Sequence, residues 1–349
     1  MIENLDIASR FIYQGNRFPI SLIFFVTNKC NAKCDFCFYK RNLNKDKKEL
    51  SLREIEKISR SIRLFNLSLT GGEPFIRKDL HEVAYLFYKN SRVKYLSIPT
   101  NGILTDKIVS STNETLKRCP KLLLEVSISI HGLHAANDKL ILVPGSFKKA
   151  MNTYKRLKQL QGSGFKNLRV CFNLLVSEQN YKDLSSIYNY LAKLKPDNIF
   201  PILLRDIPRD KKQYLKAYES LIKHVKKDLE NGKYGYKGSL SIINRRDTLS
   251  RELALQTVRK SKQLVPCFAG SLIAVINEIG DVYPCELLNK KLGSLKEHDY
   301  DFKKLWSSGK ARRIRKEIRK SSCYCTHECF LNLNVFFDKK NLLKLVFRI

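Results

Sequence analysis

No run of apolar residues in this chain approaches the roughly 20 needed to cross a bilayer as a helix. The stretch at 20–26 (Ile-Ser-Leu-Ile-Phe-Phe-Val) is too short and leads straight into a cysteine-bearing loop, so it reads as a buried strand, not a signal peptide. Without a secretory signal, the ten cysteines are not expected to form a disulfide framework. They group instead: three lie at 30–37, five at 267–329, and Cys119 and Cys171 stand alone as buried apolar residues. Acidic residues are scarce. Against 65 Lys and Arg there are 33 Asp and Glu, a formal net charge of +32. Such an excess often marks nucleic-acid or anionic-surface binding. Here the basic residues spread along nearly every expected helix and form neither one arm nor one aromatic-interleaved patch. They read as a solvated basic surface, with an acidic or phosphorylated partner as the alternative. At 349 residues the chain holds one large domain plus a smaller one.

The first cysteine group also lacks something. Cys30, Cys34 and Cys37 follow the 20–26 strand with the spacing C-x3-C-x2-C. Structural zinc wants four protein ligands and a closed shell. A cubane iron–sulfur cluster has four irons, each needing an outer ligand. Three cysteines leave one iron open to a ligand that is not protein, and that open position is where the chemistry is expected. A partial zinc site or redox thiols are the plainer reading of the triad alone. About one strand–helix unit later stands Thr70-Gly-Gly-Glu-Pro74, which by itself reads equally well as a tight turn.

Together the two segments resemble the radical S-adenosylmethionine (radical SAM) superfamily. Phe36 fills the aromatic position before the third cysteine, and Gly71-Gly72-Glu73-Pro74 looks like the segment that holds the amino group of SAM in that family. The resemblance implies a [4Fe–4S] cluster on Cys30, Cys34 and Cys37 that binds SAM. It implies Phe36 near adenine and Glu73 steering the SAM ammonium. The backbone at Gly71 and Gly72 would approach the ligand closely because no Cβ intervenes.

From residue 20 to about 210 apolar runs alternate with amphipathic stretches. Strands are expected at Leu22–Val26, Asn66–Thr70, Val93–Pro99, Leu122–Ile130, Leu168–Val176 and Ile199–Leu204, most without strict alternation, as buried parallel strands should be. Ser51-Leu-Arg-Glu54 reads as a capping box, and further helices fit 78–90, 104–118, 146–161 and 180–194. This is an α/β pattern of six βα units with right-handed crossovers. It predicts a partial (β/α)6 TIM-like barrel, the fold the resemblance also implies, with a doubly wound sheet as the rival. Function in such barrels collects at the C-terminal ends of the strands. The cysteine loop, the Gly71–Pro74 segment, Asn101-Gly102, Ser127, Ser129, His131 and Asn173 all fall on that rim. By resemblance, Asn101, Ser129 and Asn173 contact the ribose and carboxylate of SAM. Taken singly, Asn101-Gly102 is a turn, Ser129 and Asn173 are strand polar groups, and His131 and His134 are turn or surface histidines. Residues 205–235, with the charged run Asp206–Lys212, read as a helical connection, and a further helix fits Arg245–Lys260. A boundary is placed between residues 1–235, the barrel core, and 236–349, a small β-hairpin and helix iron–sulfur unit with the C-terminal tail.

In that second unit, strands Leu272–Ile276 and Asp281–Tyr283 form a hairpin through Asn277-Glu-Ile-Gly280 and bring Cys267 and Cys285 together. A helix is expected from Phe302 to Arg319, followed by Cys323-Tyr-Cys325-Thr-His-Glu-Cys329. A hairpin pair plus a distant cysteine group assembles a four-ligand metal site. Cys267-Phe-Ala-Gly, Gly280-Asp-Val-Tyr-Pro-Cys285, Gly293-Ser-Leu, Leu305-Trp306 and the final cysteines resemble the SPASM or shorter "twitch" extensions of radical SAM enzymes. Five cysteines instead of the SPASM pattern's seven imply one auxiliary [4Fe–4S] cluster on Cys267, Cys285 and two of Cys323, Cys325 and Cys329. A zinc knot, with His327 as an optional ligand, is the rival. The tail Leu331–Ile349, which mixes Leu, Val and Phe with Lys and Arg, is expected to pack onto the protein, with an anionic membrane surface as the alternative.

The resemblance implies reductive cleavage of SAM to a 5′-deoxyadenosyl radical that abstracts hydrogen from substrate. It implies a reductant such as ferredoxin or flavodoxin, and a cytoplasmic location. The substrate is a peptide or a small-molecule alcohol. About twenty residues precede the first strand, too few for a leader-binding domain, and His131 stands where many peptide-modifying relatives carry an acid. The alternatives are an RNA-modifying radical SAM enzyme, prompted only by charge, and a non-catalytic iron–sulfur or zinc protein.

Overall fold

A computed structural model of the chain describes residues 18–204, 212–321 and 323–347; most of Asp206–Lys212 and the residues ahead of the first strand lie outside these. The expected six-strand repeat is present. β1 (Ser21–Thr27) leads through α1 (Leu52–Ser61) to β2 (Asn66–Gly71), then α2 (Leu80–Ser91), β3 (Tyr95–Thr100), α3 (Thr105–Arg118) and β4 (Leu123–Ser129). Two helices follow, α4 (Ala135–Ile141) and α5 (Ser146–Gly162), before β5 (Leu168–Val176), α6 (Leu184–Lys193) and β6 (Asn198–Leu203). All six strands pair in parallel and in sequence order. Helix α4 was not expected from the sequence, and α6 starts four residues later than the predicted 180–194 because Asn180–Asp183 are held in turns by Asn180.

The sheet continues through the second half of the chain. After α7 (Lys212–Glu230) and α8 (Ser241–Lys260), β7 (Ile273–Ile276) pairs in parallel with β1 on the edge opposite β2. The expected hairpin closes with β8 (Asp281–Tyr283), and β9 (Gly293–Ser294) pairs against it. The strand order is β6-β5-β4-β3-β2-β1-β7-β8-β9. The predicted helix Phe302–Arg319 is two helices, α9 (Phe302–Trp306) and α10 (Gly309–Lys320). The break has a local cause: Ser308 turns to cap α10, accepting from Ala311 N at 3.2 Å. Helices α11 (Glu328–Phe337) and α12 (Lys339–Phe347) complete the chain, and α11 packs on α8.

The outer face of the sheet is apolar and covered by helices. Leu22, Phe24, Leu67, Leu69, Leu96 and Leu124 pack in one core with Ile55, Ile58, Val83 and Phe87. The capping box at Ser51 and Glu54 starts α1 and aims Ile55 and Ile58 at that core. The inner face differs between its two halves. On β1 and β7, Ile23, Phe25, Ile273 and Val275 form a second apolar cluster with Cys285 and Phe330. On β2 to β5 most inward positions are polar, among them Ser68, Thr70, Ser97, Glu125, Ser127, Ser129, Arg169 and Asn173. Strict alternation, not an uninterrupted apolar run, is therefore the pattern of β2, β3 and much of β4. An interior of this kind is a polar wall, not an apolar core.

Phe87 is fully buried, its ring centroid 6.0 Å from that of Phe24. Phe87→Ala is expected to cost about 3–5 kcal/mol, measurable as a lower denaturant midpoint.

Candidate iron–sulfur and SAM site

The cysteine loop begins where β1 runs out. Thr27 Oγ1 and Asn28 N both donate to Glu49 Oε1, at 2.6 and 3.0 Å. Asn44 closes the loop: its Oδ1 accepts from Cys30 N at 3.0 Å, and its own N donates to the Asn28 carbonyl at 2.9 Å. Cys30, Cys34 and Cys37 are all half-buried and reduced. Burial pushes the Cys30 thiol up to about 11 and the Cys34 thiol up to about 12, with Cys37 adding to both and Cys30 adding to Cys34. Cys30 and Cys34 are therefore protonated until a metal displaces the protons.

The Gly71–Pro74 segment is zipped onto that loop. Gly72 N donates to the Thr27 carbonyl at 2.9 Å, and Glu73 N donates to the Lys29 carbonyl at 2.8 Å. A Cβ on Gly71 would lie 2.2 Å from the Thr27 carbonyl oxygen, and one on Gly72 2.1 Å from that of Lys29. The space freed by the missing side chains thus admits the cysteine loop's own backbone, where the sequence suggested a bound ligand. Pro74 opens a single 3-10 turn and is buried.

Glu73 is 2% exposed. Its carboxylate accepts from Thr100 Oγ1 at 2.8 Å, Asn101 N at 2.9 Å and Phe75 N at 3.3 Å. Burial nevertheless raises it to about 7. Asn101 spans the gap back to the cysteine loop, Nδ2 donating to Asn31 Oδ1 at 2.7 Å. The ends of β1, β2 and β3 are thus laced together. Ser129 and Asn173 sit side by side in the β4–β5 register on the inner face. Phe36 meets the ring of His131 edge-on, centroids 5.0 Å apart. His131 is not a surface residue. It is buried, its Nδ1 accepts from Leu175 N at 3.2 Å, and burial lowers it to about 4, so it is neutral at ordinary pH. His134 is exposed, as the sequence suggested.

The second cysteine group lies around the hairpin. Cys267, Cys285, Cys323 and Cys325 line one pocket with Ile318, Tyr324 and Phe330. Cys329, at the start of α11, is exposed and does not line it. Burial raises the Cys285 thiol to about 11, with Cys325 adding to the effect, and burial raises Cys267, with Cys285 and Cys323 adding. His327, a conceivable zinc ligand by sequence, pairs through Nε2 with the Glu286 carboxylate, and both side chains are buried. Among the described residues, no three His, Cys, Asp or Glu side chains stand close enough to hold a single metal ion. A cubane core, with its own sulfides filling the middle, holds its thiolates farther apart. The gathered, soft-donor thiols suit such a core.

The model of the Radical SAM superfamily matches residues 24–191, and that of an iron–sulfur cluster-binding domain, SPASM, matches 267–330. The chain belongs to the radical SAM superfamily. A radical SAM domain takes a [4Fe–4S] cluster and SAM, and a SPASM domain takes auxiliary iron–sulfur clusters. Solved structures with the same fold include Streptococcus suis SuiB bound to S-adenosylmethionine, 20% identical with a TM-score of 0.60, covering 90% of this chain and 71% of that one. Another is anSMEcpe with bound AdoMet, 17% identical with a TM-score of 0.62, covering 95% and 97%. These share the partial barrel and its C-terminal extension. Similar sequences include the Fe-coproporphyrin III synthase of Methanosarcina barkeri, 29% identical over 49% of this chain and 40% of that protein. The GTP 3′,8-cyclase of Vibrio parahaemolyticus is 26% identical over 54% and 56%. The chain spans about half the length of these curated relatives. Among the described residues, no helix of this radical SAM protein is long and apolar enough to cross a membrane.

The sequence did not single out the Glu286–His327 pair, which only the folded hairpin brings together. Nor did it reveal a polar knot where α7, α8 and α11 meet. There Arg251 Nε and Nη1, Tyr218 Oη and Glu328 Oε1 are enclosed with no hydrogen-bond partner. Each such atom costs about 1–3 kcal/mol unless water or ligand satisfies it.

Gly72→Ala places a methyl group 2.1 Å from a backbone oxygen of the cysteine loop. The expected outcome is loss of about half the iron bound after anaerobic reconstitution, read by iron per chain, with the hairpin site still loaded.

Proposed function

We propose that the chain is a radical SAM enzyme that modifies a peptide substrate by hydrogen abstraction. The observation that carries this reading is the zipped contact between the three-cysteine loop and the Gly71–Pro74 segment. When bound, an iron–sulfur cluster with an open iron and SAM supply a carbon-centred radical, the hard step that no side chain can perform. The residues do the rest. Cys30, Cys34 and Cys37 hold the cluster, and Asn44 and Glu49 fix their loop. Glu73 accepts from the SAM ammonium with the carboxylate capacity that Thr100, Asn101 and Phe75 leave free. Asn101, Ser129 and Asn173 face the nucleoside and carboxylate, and Phe36 packs against adenine. Cys267, Cys285, Cys323 and Cys325 hold one auxiliary cluster. Glu286 and His327 beside it form a buried pair able to hold or pass a proton.

A peptide fits two features. The polar inner wall of β2 to β5 suits amide and carboxylate groups. The same fold also carries peptides in anSMEcpe with bound AdoMet and Cp18Cys peptide and in SuiB bound to precursor peptide SuiA. A small-molecule alcohol is the second reading, favoured by the same polar wall.

The test is anaerobic reduction with SAM. 5′-Deoxyadenosine should form with about eight irons per chain, and Cys34→Ala should abolish it while leaving about four. Product formation by Cys34→Ala at the wild-type rate would refute the assignment. Because burial holds Glu73 near 7, its carboxylate form is lost as pH falls through that value. SAM binding should weaken between about pH 8 and pH 6, and titrations of Glu73→Gln should show weak binding with no such dependence.

A further inference from the structure

Helix α10 carries seven basic residues and one acid along its 12 positions. Lys310, Arg312, Arg313, Lys316, Arg319 and Lys320 are all exposed. Glu317, the acid, is paired with Lys290 at 3.0 Å. Arg315 is turned inward, donating to the Trp306 carbonyl at 2.8 Å, and burial, with Arg319 and Arg312 adding, draws it down to about 10. The opposite face of the helix is anchored. Ala311 and Ile318 are buried, and Ile318 lies in the same cluster as Cys285 and Phe330.

The position of this stripe distinguishes it from the general basic surface. Ile318 on the helix and Ser321 just past its end line the pocket that also holds Cys267, Cys285, Cys323 and Cys325. Lys320 is three residues from Cys323, so the two lie within about 10 Å along the chain. Cys323 and Tyr324, at the mouth, are exposed.

We propose that the exposed face of α10 docks an acidic one-electron carrier protein of the ferredoxin or flavodoxin class and seats it against the auxiliary cysteines. The proposal rests on the radical SAM reading above and adds where the partner sits. The carrier gives up one electron and is oxidised by one; the centre held by those cysteines is reduced by one, with no bond made or broken. Uncompensated positive charge calls for an acidic surface. The redox-competent site at the end of the helix selects a redox protein over an RNA or an acidic peptide. The stripe is about 18 Å long, the size of a contact patch between two small proteins and short for a track along a nucleic-acid strand.

The test uses the full chain, reconstituted anaerobically, and a purified acidic flavodoxin. Binding should weaken as salt rises, since exposed charges are screened beyond about 8–10 Å. Arg312→Glu/Arg313→Glu/Lys316→Glu should weaken it about tenfold at low salt, as loss of three screened surface pairs implies. Lys216→Glu/Lys227→Glu on α7 should leave it within about twofold, the range of a remote surface charge. Iron content and 5′-deoxyadenosine formation with dithionite should be unchanged in both variants. Equal flavodoxin binding by the α10 variant and wild type would overturn the proposal. So would tighter wild-type binding to an RNA duplex or to polyglutamate than to flavodoxin, lost in the same variant. Failure of the wild type to cleave SAM with dithionite would instead count against the enzymatic reading, since the binding measurement stands without it.

Discussion

Two backbone hydrogen bonds, Gly72 N to the Thr27 carbonyl and Glu73 N to the Lys29 carbonyl, fix the geometry on which the candidate site depends. They extend the β1–β2 ladder past the end of both strands, into the region where chains normally diverge into loops. They form only if no side chain intervenes, because a Cβ at either glycine would overlap a carbonyl oxygen. Once formed, they carry Glu73 to the tip of β3, where Thr100 and Asn101 close over its carboxylate. Asn101 then reaches back to Asn31 beside the first cysteine. The 24-residue excursion between β1 and α1 would otherwise have no fixed relation to the neighbouring strand ends.

The division of the sheet into an apolar outer face and a mostly polar inner face sets where chemistry can occur. Burying Glu125 and Arg169 inside a barrel is costly unless each is paired or hydrated. Their groups face each other at 3.7 Å, beyond hydrogen-bond length, and Glu125 Oε2 and Arg169 Nε remain without partners. They make this inner wall the polar side of the sheet. The β1–β7 quarter is lined with aliphatic and aromatic side chains, and that apolar cluster includes Cys285 of the second cysteine group.

Much of this was readable in the residues. The six parallel strands announced themselves as strand-like segments at regular spacing, and the capping box at Ser51 and Glu54 marked a helix start that the structure contains. The two cysteine groups and the Gly71–Pro74 segment pointed to cluster and SAM chemistry because spacing within a loop is a local property. What was not legible depends on contacts far apart in sequence or on competition between weak local signals. The split between α9 and α10 turns on whether Ser308 caps a new helix or rides through an old one. The inward polarity of β2 and β3 is present as alternation in Asn66-Leu-Ser-Leu-Thr70 and Tyr95-Leu-Ser-Ile-Pro-Thr100, yet alternation alone does not say which face is wet. The burial of His131 follows from Asn137 and Asn180, which bond its backbone, and from Leu175 N, which donates to its ring.

A further link could not have been read from sequence and explains why the hairpin belongs to the same site. The Glu278 side chain is fully buried in the β7–β8 turn, where it accepts from Tyr39 Oη at 2.5 Å and Lys47 Nζ at 3.0 Å. Leu50 N donates to its carbonyl at 2.8 Å. Tyr39 packs against Phe25 with the rings tilted by 37°, and burial, with Glu278 adding, drives its phenol far above its ordinary value, so it stays a donor. A buried carboxylate deprived of these donors would be left uncompensated, a loss of several kcal/mol. The strand that runs into the first cysteines, the segment that leaves them, and the hairpin flanked by Cys267 and Cys285 are therefore held by one buried charge. Because β1 is hydrogen-bonded to β2 on one side and β7 on the other, neither cysteine group can shift without moving the strand that positions the other.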